Sequence, residues 1–147
     1  MQREHEEAMR TDFDHYVELS DQMDHGLTRY DNPITEEQII AIGDQQEALQ
    51  DRWRNGPHAQ HWNYLEDAHH DWRQAPDTMR RMHEDIAHNG GFGLTDIETR
   101  SQVQAAALYA RSTERHQVWV SEARAQREAA RGAQSKKRPR SSVERSR

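Results

Sequence analysis

The sequence predicts an all-α protein: an antiparallel helical bundle of about four shorter helices, plus one long C-terminal helix and a disordered basic tail. Apolar residues recur at alternating spacings of three and four, which places them on one face of a helix. Two capping boxes mark helix starts, and no run of alternating β-branched residues indicates a strand. We therefore expect a helical bundle domain over residues 1–131 and a disordered basic tail over residues 132–147.

The first predicted helix covers residues 3–25. Its stripe has spacings of 4, 3, 4, 3 and 4 and consists of Met9, Phe13, Tyr16, Ser20, Met23 and Leu27. Gly26 is expected to end this helix, because glycine readily adopts the left-handed cap conformation. The second helix starts at the capping box of Thr35 and Gln38, and Asn-Gly-Pro at 55–57 ends it.

The third predicted helix is the stretch HAQHWNYLEDAHHDWR, residues 58–73. Pro76 closes it and also suits the first turn of a fourth helix. At 100° per residue, the inner stripe of the third helix consists of His58, Trp62, Leu65, His69 and Trp72. A second capping box, Thr95 with Glu98, starts a long helix that we expect to end at Gly132.

Leu, Ile, Val and Phe make up only 19 of the 147 residues, and this scarcity predicts a thin core. Four Trp and four Tyr compensate in part, because each buries a large area. We expect a protein partner or a second copy of the chain to supply some of the stability. The chain has no cysteine, which excludes disulfides and thiol catalysis.

The composition also predicts where the protein acts. No stretch is apolar over the length of a membrane helix, and the charged N-terminus lacks the pattern of a signal peptide. We therefore expect a cytoplasmic protein with no membrane contact. Arg outnumbers Lys by 18 to 2, a bias that suits a bacterial, phage or plasmid coding background.

Charge is distributed unevenly along the chain. Residues 1–98 have a net charge of −14, residues 99–131 have +3, and residues 132–147 have +5. A basic end can follow a phosphate backbone and release counterions, or it can bind an acidic protein. The residues expected to make this contact are Arg124, Arg127, Arg131, Lys136, Lys137, Arg138, Arg140, Arg145 and Arg147.

A metal-binding helical bundle is one alternative, with Zn, Fe or Mn held by the third helix. His58 and His61 have a spacing that can share one ion, and Glu66 with His69 has the Glu-x-x-His spacing of di-iron bundles. The two pairs are centred about 12 Å apart along the helix, so one ion cannot use both. A second Glu-x-x-His in proper register is missing from the sequence. These residues therefore fit a core helix better than a metal site.

An acidic inhibitor is the other alternative, because the net charge of −14 over residues 1–98 could mimic nucleic acid and capture a basic protein. Catalysis is not favoured. HEDIAH at 83–88 misses the zinc-protease spacing by one residue, and no serine lies in a strand-turn-helix elbow. We expect a non-catalytic, cofactor-free interaction or accessory protein, of a kind that plasmids, phages or conjugation systems use.

Overall fold

The computed structural model describes the backbone of residues 1–29, 32–90 and 93–145, and the side chains in these ranges as far as residue 133. The helices are α1 (Arg3–Thr28), α2 (Glu36–Arg54), α3 (Ala59–Gln74), α4 (Pro76–Asn89) and α5 (Asp96–Arg145). No strand occurs within those ranges, which confirms the predicted all-α class. None of the helices, so far as their residues are described, is both long and apolar enough to cross a lipid bilayer.

Local sequence signals place three helix starts as predicted. The Thr35 hydroxyl accepts from the Gln38 backbone N–H at 3.1 Å, and the Gln38 side chain accepts from the Thr35 N–H at 3.0 Å. Thr95 and Glu98 form the same pair of bonds at 3.2 and 3.0 Å. Pro76 is the first residue of α4, where a missing N–H leaves no helical hydrogen bond unmade.

The two glycines expected to end helices do not do so. Gly26 lies within α1, and its carbonyl accepts from the Ile34 N–H at 3.0 Å as the chain turns back. A Cβ at position 26 would lie 2.7 Å from the Ile34 Cβ, so this glycine permits close packing and does not form a cap. Gly132 is a helical residue of α5. A single glycine destabilises a helix by only about 1 kcal/mol, and no turn follows Gly132, so the helix continues through this position.

Successive helices run antiparallel, so α1, α3 and α5 point in the same direction. Hydrogen bonds between α1 and α5 join residues that are 87 to 94 positions apart along the whole pair. This nearly constant separation shows that the two helices are parallel. Four helices, α1, α2, α3 and α5, form a ring in which each packs against two neighbours, and α4 packs mainly on α3.

The core lies between α1, α3 and α5, and aromatic rings form its centre. Trp62 and Leu65 have no exposed surface, and Phe13 is 1% exposed. The rings of Phe13 and Trp62 pack edge to face with centroids 5.2 Å apart. Ala105 of α5 is fully buried and lets that helix approach closely. Large aromatic residues set against small ones thus fill the core of a chain that is poor in aliphatic residues.

Leu27 was predicted on the inner stripe of α1, but it is 60% exposed. The shorter length of α3 is the cause, because α3 has 16 residues and α1 has 26. His5 of α1 lies beside His58 at the start of α3, so α3 ends well before the last turn of α1. Leu27 therefore extends past the residues that could cover it.

Candidate nucleic-acid interface

Glu6 fixes the first turns of α5 against α1. Its carboxylate accepts hydrogen bonds from Arg100 at 2.6 and 3.0 Å and from Arg10 at 2.9 Å, and its side chain is 10% exposed. The bonds from Arg100, more than those from Arg10, lower the pKa of Glu6 to about 2 against the opposing effect of burial. Arg100 is therefore paired with an acidic residue of α1, although its side chain is 53% exposed.

Asp21 forms a second connection between the same two helices. The Ser112 hydroxyl and the Arg115 guanidinium donate to this carboxylate at 2.8 and 2.9 Å. Burial raises the pKa of Asp21 even though these partners favour its charged form. Two of the arginines on α5 are thus paired with acidic residues of α1 and hold α5 in place.

His25 and Trp119 pack together where α1 approaches its end. Their rings stack with centroids 4.2 Å apart and planes inclined by 26°. Burial, assisted by the nearby Arg29, lowers the pKa of His25, and its Nδ1 is buried with no hydrogen-bond partner among the described residues. Trp119 is half-buried, so only part of the indole is covered.

Beyond this stack, α5 continues past the end of α1, and we call residues 121–145 the arm; Thr28, Arg29 and Asn32 lie beside its first turns. The 50 residues of α5 extend about 75 Å, whereas the 26 residues of α1 extend about 39 Å from the same end of the bundle. All side chains from residue 124 to residue 133 are exposed. The described side chains of the arm are therefore exposed from residue 124 onward, whereas Ala123 at its base is partly covered.

An open groove of about 510 Å³ lies at the base of the arm, next to Thr28 at the end of α1. Its walls include three of the arginines expected to make the contact, Arg124, Arg127 and Arg131, together with His116, Trp119, Val120 and Glu128. Neither Arg124 nor Arg131 forms a salt bridge with a described residue. The groove thus combines two arginines that form no salt bridge with a described residue, Arg124 and Arg131, with part of an indole ring. The other predicted contact residues have side chains outside the described part of the chain: Lys136, Lys137, Arg138, Arg140, Arg145 and Arg147.

The candidate metal ligands on α3 are separated by other contacts. The rings of His58 and His61 lie 6.4 Å apart, and His58 Nε2 lies 3.2 Å from His5 Nδ1. Glu66 accepts two hydrogen bonds from Arg54 at 2.6 and 2.9 Å. Across the described side chains, no three His, Asp or Glu residues are grouped so that they could hold a metal ion.

His69 lies against the core, as its position on the inner stripe predicts. Its ring packs edge to face with Phe13 at 5.9 Å, and its Nε2 is buried without a hydrogen-bond partner among the described groups. Burial lowers the pKa of His69 to about 4, so the ring is neutral at neutral pH. His69 is thus a neutral member of the core that does not meet Glu66 at a shared site.

Two histidines that the sequence does not single out contribute to these contacts. His5 meets His58 across α1 and α3, and His25 meets Trp119 across α1 and α5. Each pair joins helices that are far apart in the chain, so spacing within one helix gives no signal for it.

Comparison of the chain with protein-family models, with curated proteins and with solved structures gave no match. Function is therefore inferred from the geometry and charge of the described residues.

Proposed function

We propose that this protein is a non-catalytic accessory protein that binds nucleic acid through the basic arm, while the bundle supports and orients the arm. The observation that carries the proposal is the position of Arg124 and Arg131. Both are exposed on a helix that extends past the end of α1, and neither forms a salt bridge with a described acidic residue. Six further cations follow between positions 136 and 147 of the sequence.

The charge of the bundle supports binding at the arm and opposes binding elsewhere. Residues 1–98 have a net charge of −14, and several of their arginines are already paired with carboxylates: Arg10 with Glu6, Arg52 with Asp12, Arg54 with Glu66, and Arg80 with Asp77. A phosphate backbone is repelled by such a surface and attracted by the arm. This contrast would orient the protein on its ligand. An accessory factor of a bacterial plasmid, phage or conjugation system, acting in the cytoplasm, is the setting that we propose.

The test compares arginines on the same helix. Fluorescence anisotropy of a labelled oligonucleotide, titrated from about 50 mM to about 300 mM salt, should show affinity that falls steeply with salt. The double variant Arg124→Gln with Arg131→Gln should weaken binding and reduce the salt slope by roughly 1 to 2. Arg111→Gln is the matched control, because Arg111 is an exposed arginine of α5 located before the arm.

A second variant replaces the six cations between positions 136 and 147 with glutamine. It should lose more affinity than the double variant, because more phosphate contacts disappear. The proposal is wrong if the full chain binds neither DNA nor RNA at about 50 mM salt. It is also wrong if Arg111→Gln weakens binding as much as the arm variants do.

The outer face of α2 favours a second function, that of an acidic inhibitor of a basic protein. Glu37, Asp44, Glu47 and Asp51 are exposed and share this face, and none forms a salt bridge with a described residue. Such a face would bind an arginine-rich peptide in competition with nucleic acid. That binding should survive neutralisation of the C-terminal cations and disappear when the four acids become amides. Equal peptide binding by the amide variant would reject this function.

A further inference from the structure

The geometry points to single-stranded nucleic acid, and not a duplex, as the ligand of the groove at the base of the arm. This inference rests on the proposed function and adds the class of nucleic acid. The groove contains two kinds of group that bind a single strand: the cations Arg124 and Arg131, which attract phosphates, and the partly exposed indole of Trp119, on which a base can stack. The other three tryptophans, Trp53, Trp62 and Trp72, are only 6%, 0% and 6% exposed.

A base can stack on an aromatic side chain only when its own face is free. In a single strand the base faces are accessible, whereas in a duplex the neighbouring base pairs cover them, so that a duplex offers mainly phosphates to such a groove. His25 covers one side of the Trp119 ring, and another part of the indole lines the groove. The stack with His25 restrains the Trp119 ring, and the part of the indole that lines the groove is available to a second aromatic partner.

The arginines lie at suitable positions for the phosphates that would flank a stacked base. Arg124 and Arg131 follow Trp119 by 5 and 12 residues, which is about 7.5 and 18 Å along the helix. They share the groove with Trp119, so a strand lying along the helix would meet an aromatic surface first and then positive charge. Glu128 also lines the groove and offsets part of this charge.

The intrinsic fluorescence of the full-length protein tests this inference directly. Because the other tryptophans are buried, quenching by a ligand reports on Trp119. An oligothymidylate of about 20 nucleotides should quench emission and bind at least 5-fold more tightly than a duplex of equal length at the same salt concentration. Trp119→Leu should weaken binding of the single strand by roughly 5- to 50-fold and binding of the duplex by less than about 2-fold.

Two controls separate stacking from folding. Trp119→Phe keeps an aromatic ring and should retain most of the single-strand affinity, while Val118→Ala alters a neighbour that is 53% exposed and outside the groove, and should change neither affinity. Circular dichroism verifies that each variant is helical. If the leucine variant is misfolded, quenching of the unaltered protein by the single strand still decides the matter.

The outcomes distinguish this inference from the proposed function. Three results together would overturn the stacking site. The single strand and the duplex would bind with equal affinity, the single strand would not quench the fluorescence, and Trp119→Leu would leave the single-strand affinity unchanged. The proposed function would stand in that case, provided that Arg124→Gln with Arg131→Gln still weakens binding. If no nucleic acid binds at all, both fail.

Discussion

Glu6→Gln tests how α5 is held against α1. The amide preserves the size of the side chain but removes the charge that Arg10 and Arg100 share. Arg10, whose side chain is 17% exposed, would retain Ser101 and Gln104 as hydrogen-bond partners but would lose its carboxylate. A partly buried cation would then be incompletely paired, which is unfavourable.

The size of the effect follows from the pKa of Glu6. A pKa of about 2, against an ordinary value of 4.5, corresponds to a stabilisation of at most roughly 3 kcal/mol at pH 7. Arg100 is 53% exposed, so water screens part of this interaction, and we expect a loss of about 2 kcal/mol. For a chain of this size, such a loss lowers Tm by roughly 4 to 8 °C.

The effect of Glu6→Gln should also depend on pH. Because folding lowers the pKa of Glu6, its contribution to stability is fully present above pH 4.5 and disappears as the pH falls towards about 2. The difference between the unaltered protein and Glu6→Gln should therefore shrink by about half or more between pH 7 and pH 3. Urea unfolding followed by far-UV circular dichroism at the two pH values measures it.

Glu7→Gln is the matched control, because Glu7 pairs with Arg3 at the surface, where the two side chains are 68% and 91% exposed. It should change stability by about 0.5 kcal/mol or less. Two results would refute the reasoning: a cost for Glu6→Gln no larger than that for Glu7→Gln, or a cost that is the same at pH 3 and pH 7.

Gly26→Ala should destabilise the protein by about 1 to 3 kcal/mol, because the new methyl group would lie 2.7 Å from Ile34, while Gly43→Ala in open space should stabilise α2 by about 0.5 to 1 kcal/mol. Calorimetry compares the two, and shifts of the same sign would contradict the packing at Gly26. Because burial lowers the pKa of His69 to about 4, its contribution to stability should be complete above pH 6.5 and decline towards pH 4. An NMR titration that gives His69 an ordinary pKa would disprove its burial. Thr95→Ala removes the N-terminal cap of α5 and should lower the free energy of unfolding in urea by about 1 kcal/mol. An unchanged midpoint of the urea transition would show that the capping box does not form.

Features that depend on residues within one or two turns of each other could be predicted from the sequence. The capping boxes at Thr35 and Thr95 are such features, since each joins residues only three positions apart. The burial of Trp62, Leu65 and Trp72 follows in the same way, because the helical repeat alone places them on one face. The spacings of three and four residues between Arg124, Arg127 and Arg131 likewise place these arginines on one face of α5.

Features that depend on how the helices are aligned could not be predicted. Nothing near Arg100 or Arg115 in the sequence indicates that these arginines bind Glu6 and Asp21, whereas Arg124 stays open to solvent. The partners are more than 90 residues apart, and only the parallel packing of α1 and α5 brings them together. The charge available for binding is therefore smaller than a count of arginines on α5 suggests.

The sequence by itself determined the helical class, the helix starts, the inner face of α3 and the acidic and basic halves of the chain. The tertiary structure decided that Gly26 packs against Ile34 and does not end α1, because that depends on where the returning chain passes. It also decided that Trp119 stays half-covered, because α1 ends where the arm begins. Hydrogen bonds within one helical turn depend only on neighbouring residues of the sequence. The surroundings of Trp119 at the base of the arm depend instead on the relative lengths and directions of α1 and α5, which meet only when the chain folds.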